Sequence, residues 1–327
     1  MRFQKHRIIA ALTAFALAGC TVGGPNAATV QKNEQKKNED YLIGVIQFAV
    51  HPALDEATRG FVDELKENLN LEDKNFDIQI AAGDSATCTT IANALVSENC
   101  DIILANATAS LQAASSATTS IPILGTAVTE YGIALGMEDF DGTTGINVSG
   151  TADLAPLDQQ VSLFDELIPN AQNIGILYCS AEANSVYQAT EVKKRLEAKG
   201  KNVSFYTFAD TNDVSQVTQN ACLENDALYI PTDNTAASCT ETIDNIASIH
   251  QIPIITGDNL VMKTCGIATV SIDYYDLGRT TGKMAARILK RKDKIEEMPI
   301  EYCENTNKEY NPERCQKLGI TVPDSKK

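Results

Sequence analysis

Short, wholly apolar runs alternate with amphipathic segments along this chain, and that alternation restricts it to a layered α/β architecture. Strand-like runs occupy residues 41–48, 77–81, 102–104, 121–124, 174–178, 203–207, 227–230, 252–255 and 268–272. Between the first two, Leu54, Ala57, Phe61, Leu65 and Leu69 recur at spacings of three and four, the period of one helix face. Residues 185–198 carry a second such face. A strand that is apolar on both sides must be covered on both sides, so the pattern predicts parallel sheets flanked by helices.

The pattern also occurs twice, once over 41–148 and again over about 157–272, with the polar, glycine-bearing segment 142–153 between. Two similar lobes are expected. The helical pattern at about 275–290 follows completion of the second set, so the chain is expected to cross back and pack on the first lobe. The expected organisation is residues 41–148 plus about 275–323 for one lobe and 149–274 for the other, joined by a multi-strand hinge.

Ahead of the body, Arg2, Lys5 and Arg7 precede an apolar stretch from Ile8 to Ala18 that ends in Leu17-Ala18-Gly19-Cys20. A basic start, a short apolar run and small residues before a cysteine have the form of a lipoprotein leader, too short to span a bilayer. Residues 1–19 are therefore expected to be removed and Cys20 to be lipidated, with 20–40 a flexible polar tether. Multiple acyl chains on Cys20 would hold the protein stably at a membrane on the extracytoplasmic side.

The formal net charge of −16 grows more negative once the leader is lost, which argues against a nucleic-acid partner. Eight cysteines remain beyond Cys20, an even number that permits disulfides in an exported protein. Cys88 and Cys100, at opposite ends of one expected helix, would stand about 18 Å apart and cannot bridge. Cys179 and Cys239 could meet at the ends of neighbouring strands. No Cys-x-x-Cys pair exists and His51 and His250 stand alone, so neither a metal nor another cofactor is expected.

In open parallel sheets ligands bind beyond the carboxyl ends of the strands, where helix N-termini offer unpaired N–H groups. The residues after each strand are thus the candidate site. In the first lobe they are Gln47, Phe48 and His51, then Asn106 and Thr108, then Thr129, Glu130 and Tyr131. The second lobe supplies Tyr178, Asn184 and Ser185, then Asp233, then Asp258. His51 lacks a nucleophile and an orienting carboxylate beside it in sequence, so a hydrogen-bonding or structural role fits better than general base. Thr108, Asn184 and Ser185 suit either helix capping or an anion site, and Glu130 either a ligand ammonium or solvent. Asp233 and Asp258 could serve as acid and base in glycoside hydrolysis or neutralise an ammonium. Without a nucleophile motif, metal cluster or phosphate loop, binding is favoured over catalysis and no enzyme is expected.

Five runs carry a family resemblance. They are Ile43-Gly44-Val45-Ile46-Gln47 with His51-Pro52-Ala53-Leu54-Asp55, Gly145-Ile146-Asn147-Val148-Ser149-Gly150, Tyr178-Cys179-Ser180-Ala181-Glu182-Ala183-Asn184-Ser185, Ile230-Pro231-Thr232-Asp233-Asn234 and Asp273-Tyr274-Tyr275-Asp276-Leu277-Gly278. In that order and behind a leader, they make the chain resemble the substrate-binding lipoproteins of ABC importers, of the tryptophan/tyrosine type with the type I periplasmic-binding-protein fold. The chain departs from that family at Glu130-Tyr131 and at Cys179. The resemblance implies a monomer that captures a small solute, most often an aromatic amino acid, by hinge closure, and delivers it to permease and ATPase subunits. A ligand-sensing ectodomain and a lipid-anchored hydrolase are the alternative readings. For an amino acid, the carboxylate would meet Thr108, Thr129 or Asn184-Ser185. Its ammonium would meet Asp233 first, or Asp258 or Glu130, and its ring would meet Phe48, Tyr131 or Tyr178.

Overall fold

A computed structural model describes residue 37, residues 40–303 and residues 306–323. The leader, Cys20 and nearly all of the tether lie outside the described residues. In chain order the elements of the first half are β1 (Ile43–Gln47), α1 (Pro52–Leu69), β2 (Phe76–Ile80), α2 (Ser85–Ser97), β3 (Ile102–Asn106), α3 (Thr108–Ala117), β4 (Ile123–Val128), α4 (Tyr131–Leu135) and β5 (Val148–Ala152). The second half runs α5 (Leu157–Leu167), β6 (Asn173–Cys179), α6 (Ala183–Ala198), β7 (Asn202–Phe208), α7 (Val214–Glu224), β8 (Ala227–Ile230), α8 (Asn234–Ser238), α9 (Thr240–His250), β9 (Ile254–Thr256), α10 (Asn259–Cys265) and β10 (Ala268–Ser271). It is followed by α11 (Tyr274–Leu289), β11 (Glu301–Tyr302), β12 (Asn307–Tyr310) and α12 (Pro312–Lys317).

The expected two lobes are present. One sheet has the order β11-β5-β4-β3-β1-β2 and the other β12-β10-β9-β8-β6-β7. All neighbours are parallel except β12, which runs antiparallel to β10. Strands β1, β3 and β4 are buried along their whole length, as their mainly apolar sequences require.

Two expectations need correction. Segment 142–153 is not merely a connector, because residues 148–152 form β5, fully buried in the first sheet. Its side chains are small because other groups lie against it: Tyr131 donates its hydroxyl to the Thr151 carbonyl at 3.1 Å, and a Cβ on Gly150 would collide with Tyr131 and the Gly125 carbonyl. The lobe boundaries move accordingly. The first sheet keeps residues through 152, whereas β12 returns to the second sheet, and Cys315 on α12 and Ile320 beyond it pack in that lobe's core. The chain thus passes between the sheets three times, at 153–156, at 272–273 and between Tyr302 and Asn307.

Helix α11 does cross back, and it lies close against α1. A side chain at Gly60 would strike the Tyr275 carbonyl, and one at Gly278 would strike the Ala57 carbonyl. Backbones approach this closely only where the Cβ is missing. All eight described cysteines are free, including Cys179 and Cys239, so the pairing entertained for those two is not formed.

Candidate functional site

In each lobe the strand order reverses beside the first strand, between β1 and β3 and between β6 and β8, which is where α/β sheets hold their ligands. The loops leaving these four strands converge from both lobes on a cavity of about 450 Å³, within the usual range for a small molecule. Phe48 and Val50 after β1, Thr108 and Ala109 at the start of α3, and Glu182 and Asn184 around the start of α6 form much of its wall. Ala49, Ala82, Gly83, Ala181, Ala183 and Ala209 leave the room by their lack of bulk. Phe48 is the one aromatic ring among the described residues of the lining.

Two helices point uncapped N-termini at this cavity. The residue before α3 is Ala107, held at φ 96°, and no side chain bonds to the first N–H groups of that helix. Thr108 Oγ1 is buried there without a hydrogen-bond partner. Helix α6 likewise has no side-chain cap. The neighbouring α2, α4, α8 and α10 differ, each being capped by its own acid: Asp84, Glu130, Asp233 and Asp258. Free N–H groups at a positive helix end attract an anion such as a carboxylate.

A small adjoining void, with a volume of about 10 Å³, is ringed by acids. Asp153, Asp233 and Asp258 line it together with His51, Thr232, Asn234 and Tyr274. Neither cavity has a lysine or arginine among its described lining residues. Burial pushes the Asp153 carboxyl up to about 6, with hydrogen bonds from Thr129 and Tyr274 opposing and Asp258 adding to the rise. Burial also raises Asp233, helped by Glu182, and raises Asp258, which the Val261 N–H and His51 partly offset. A nearby cation would favour the ionised form of carboxylates raised in this way.

Side chains tie the two lobes together across the cleft. His51 Nε2 lies 3.0 Å from Asn234 Oδ1; the amide oxygen can only accept, so the ring nitrogen donates. Asn234 Nδ2 in turn donates to Glu182 Oε2 at 2.6 Å. Gln188 on α6 donates to Thr129 Oγ1 at 3.1 Å, from the second lobe to the first.

Of the residues expected from sequence, Phe48, Thr108 and Asn184 line the larger cavity, and His51, Asn184, Asp233 and Asp258 line the void. The others lie elsewhere. Gln47 and Asn106 form a buried network beneath the cleft, with Thr58 donating to Gln47 Oε1 at 2.7 Å and Asn106 Nδ2 donating to Thr58 Oγ1 at 2.8 Å. Thr129 is one layer back and donates to Asp153 Oδ1 at 2.9 Å. Glu130 caps α4 through the N–H groups of Gly132 and Ile133. Tyr131 is enclosed in the first lobe's core, and Tyr178 packs edge-on against Phe205 with ring centroids 5.4 Å apart. Neither is therefore a cleft aromatic. Ser185 is fully buried beside Asn184. Both Asp233 oxygens receive backbone N–H groups, from Ala236 at 2.7 Å and Cys179 at 2.6 Å.

Sequence reading missed Asp153, Glu182, Thr232, Asn234 and Tyr274. Asp153 directly follows β5, so the strand-end rule finds it once that strand is recognised. Tyr274 follows β10 in the same way.

A family model described as "ABC transporter substrate binding protein" matches residues 42–326. The chain is 32% identical over 310 residues to a protein named tyrosine-binding protein from Clostridioides difficile, covering 93% of this chain and 88% of that one. Among solved structures, an ABC domain in complex with L-Trp from Streptococcus pneumonia is 33% identical, with a TM-score of 0.83 over 87% of this chain and 96% of that one. The ligand-free, open structure of a substrate binding protein with adhesive properties from Clostridium difficile is 34% identical, with a TM-score of 0.66 over 88% and 97%.

Proposed function

We propose that this chain, which belongs to the ABC transporter substrate binding protein family, captures an aromatic amino acid, tyrosine or tryptophan, between its lobes and presents it to an importer. The observation that carries the reading is the pairing of two uncapped helix N-termini with a buried acidic ring that has no lysine or arginine in its described lining. The uncapped helix ends suit a carboxylate, and the adjoining acidic void suits the ammonium on the same α-carbon. The larger cavity, lined by Phe48, small apolar residues and polar groups such as Glu182, Asn184 and Asp210, takes the flat side chain. The names of the two relatives, one tyrosine-binding and one complexed with L-Trp, support the same class of solute.

In this reading the α-carboxylate lies against the first N–H groups of α3 and the free Thr108 hydroxyl. The ammonium approaches Asp153, which accepts one side-chain hydroxyl on each oxygen, and Asp258, both of whose backbone bonds fall on Oδ1, whereas five donors already occupy Glu182. Closure adds contacts that the open form lacks, so the ligand shifts the population toward the closed state. No helix among the described residues is long and apolar enough to cross a membrane, and lipid on Cys20 would tether this extracytoplasmic monomer beside its permease and ATPase. Isothermal titration of the purified body with each of the common amino acids and with neutral sugars tests the reading. Binding of L-tyrosine or L-tryptophan above all others is expected. Sugar binding without amino-acid binding would overturn it.

A further inference from the structure

We propose that Gln188 is an interlobe strut that forms only when the cleft is shut and that orients the Asp153 carboxylate toward the ligand. The proposal rests on the ligand reading above and deepens it. Gln188 is 2% exposed and lines neither cavity, so neither solvent nor direct ligand contact accounts for an amide at this point on α6. Both of its ends are used. Its Oε1 accepts from the Thr232 N–H at 3.3 Å within its own lobe, and its Nε2 donates to Thr129 Oγ1 at 3.1 Å in the other.

The sequence of donors beyond Gln188 is fixed by counting hydrogens. A threonine hydroxyl has one, and accepting from Gln188 leaves that hydrogen for Asp153 Oδ1 at 2.9 Å. Asp153 Oδ2 accepts from Tyr274 Oη at 3.1 Å. The carboxylate is therefore held on both oxygens, one through a residue of the opposite lobe. Donors in series polarise one another, so the Gln188 contact strengthens the hold of Thr129 on an ionised Asp153. Opening the cleft separates Nε2 from Thr129, so the Thr129 hydroxyl still reaches Asp153 Oδ1 but is no longer fixed or polarised from the other lobe. Gln188 is thus a positioning residue: it couples lobe closure to the geometry of the group that meets the ammonium.

The test follows the closed-state lifetime by single-molecule fluorescence, with one dye on each lobe, with and without L-tyrosine or L-tryptophan. Gln188→Ala and Thr129→Val should each shorten that lifetime about tenfold, and the double variant should be little worse than either, because both remove the same contact. Gln188→Glu keeps the size of the side chain and the acceptor for Thr232. At pH 8 it should behave as Gln188→Ala, since a carboxylate cannot donate to Thr129. At pH 5 it should recover toward the wild type, because the protonated acid donates as the amide does. Each variant is scaled to the wild type at the same pH, since Asp153 also faces Tyr274 directly and Asp258, Tyr131 and Cys303 at longer range. Lifetimes equal to the wild type for Gln188→Ala in every condition overturn the proposal, as does a Gln188→Glu deficit that is the same at both pH values. Wild-type protein that closes on neither amino acid overturns the ligand reading instead. The strut is then judged by the same criterion on the closed excursions of the ligand-free protein.

Discussion

Tyr274 donates its hydroxyl to Asp153 Oδ2 at 3.1 Å, joining the ends of the first two strands that pass between the lobes. The bond lies at the inner wall of the cleft, so the acid that faces the void is held by the hinge itself. An ammonium that engages Asp153 is therefore felt where the lobes pivot.

Asp153→Asn should weaken binding of tyrosine or tryptophan, through the loss of a partner for its ammonium, by about 2–5 kcal/mol, the usual cost of removing one partner of a buried charged pair. The same change should leave the ligand-free protein more stable at pH 8, because it removes a buried charge that has no cation beside it. Calorimetry and chemical denaturation of the one variant check both signs. Lower stability together with unchanged affinity would remove Asp153 from the site.

The pH dependence has a definite direction. Burial raises Asp153 to about 6, above the ordinary carboxylate near 4. Between those values the folded protein keeps a proton that the unfolded chain has lost, so stability falls as pH rises from about 4 to about 6 and levels off above. The stability gained by Asp153→Asn should therefore be near zero at pH 4 and on the order of 3 kcal/mol above pH 7. Binding of an amino acid at pH 5–6 should release protons, read as a dependence of the binding enthalpy on the buffer's ionisation enthalpy.

Asp233→Ala should act on the fold more than on the ligand. Its oxygens accept from Ala236 and Cys179 N–H groups, and losing a helix cap together with a buried acceptor costs about 1–3 kcal/mol. A fall in thermal midpoint with affinity changed less than in Asp153→Asn is the expected result.

Gly278→Val tests the return of the last long helix. The new side chain would drive α11 off the Ala57 carbonyl on α1, and overpacking of this kind costs about 1–3 kcal/mol or more. Denaturant titration should show the loss, whereas the same change at Gly142, which has open space around it, tests the cost of its positive φ alone.

Cys20→Ser in the intact precursor should abolish incorporation of labelled fatty acid and release the protein from the membrane fraction. Labelling that persists would reject Cys20 as the lipidated residue.

The apolar strands were legible in sequence because burial on both sides leaves mainly hydrophobic runs, and the α1 and α6 faces because their apolar residues recur at helical spacing. Strand β5 was not: Ser149, Gly150 and Thr151 are small and polar, and they are buried because Tyr131 and α11 fill the space above them. Losing β5 concealed Asp153, an acid of the void that caps no helix. The cleft loops were located, but the direction of each side chain was not, since capping and ligand binding call for the same residue types. Asp233, Asp258 and Glu130 all turned inward to their own helices, and which helices remain uncapped depends on the backbone around Ala107 and Glu182. Tyr131 and Tyr178 illustrate the same ambiguity for aromatics, because a ring after a strand fits the core as readily as the cleft.

The three passages between the sheets constrain the kind of motion open to the lobes. A single connection would let one lobe twist, slide or swing about the other, whereas several connections limit those freedoms together. In the proposed capture, a solute a few atoms larger or smaller would then stop the lobes at a different angle, and the cleft would select by angle as well as by contacts.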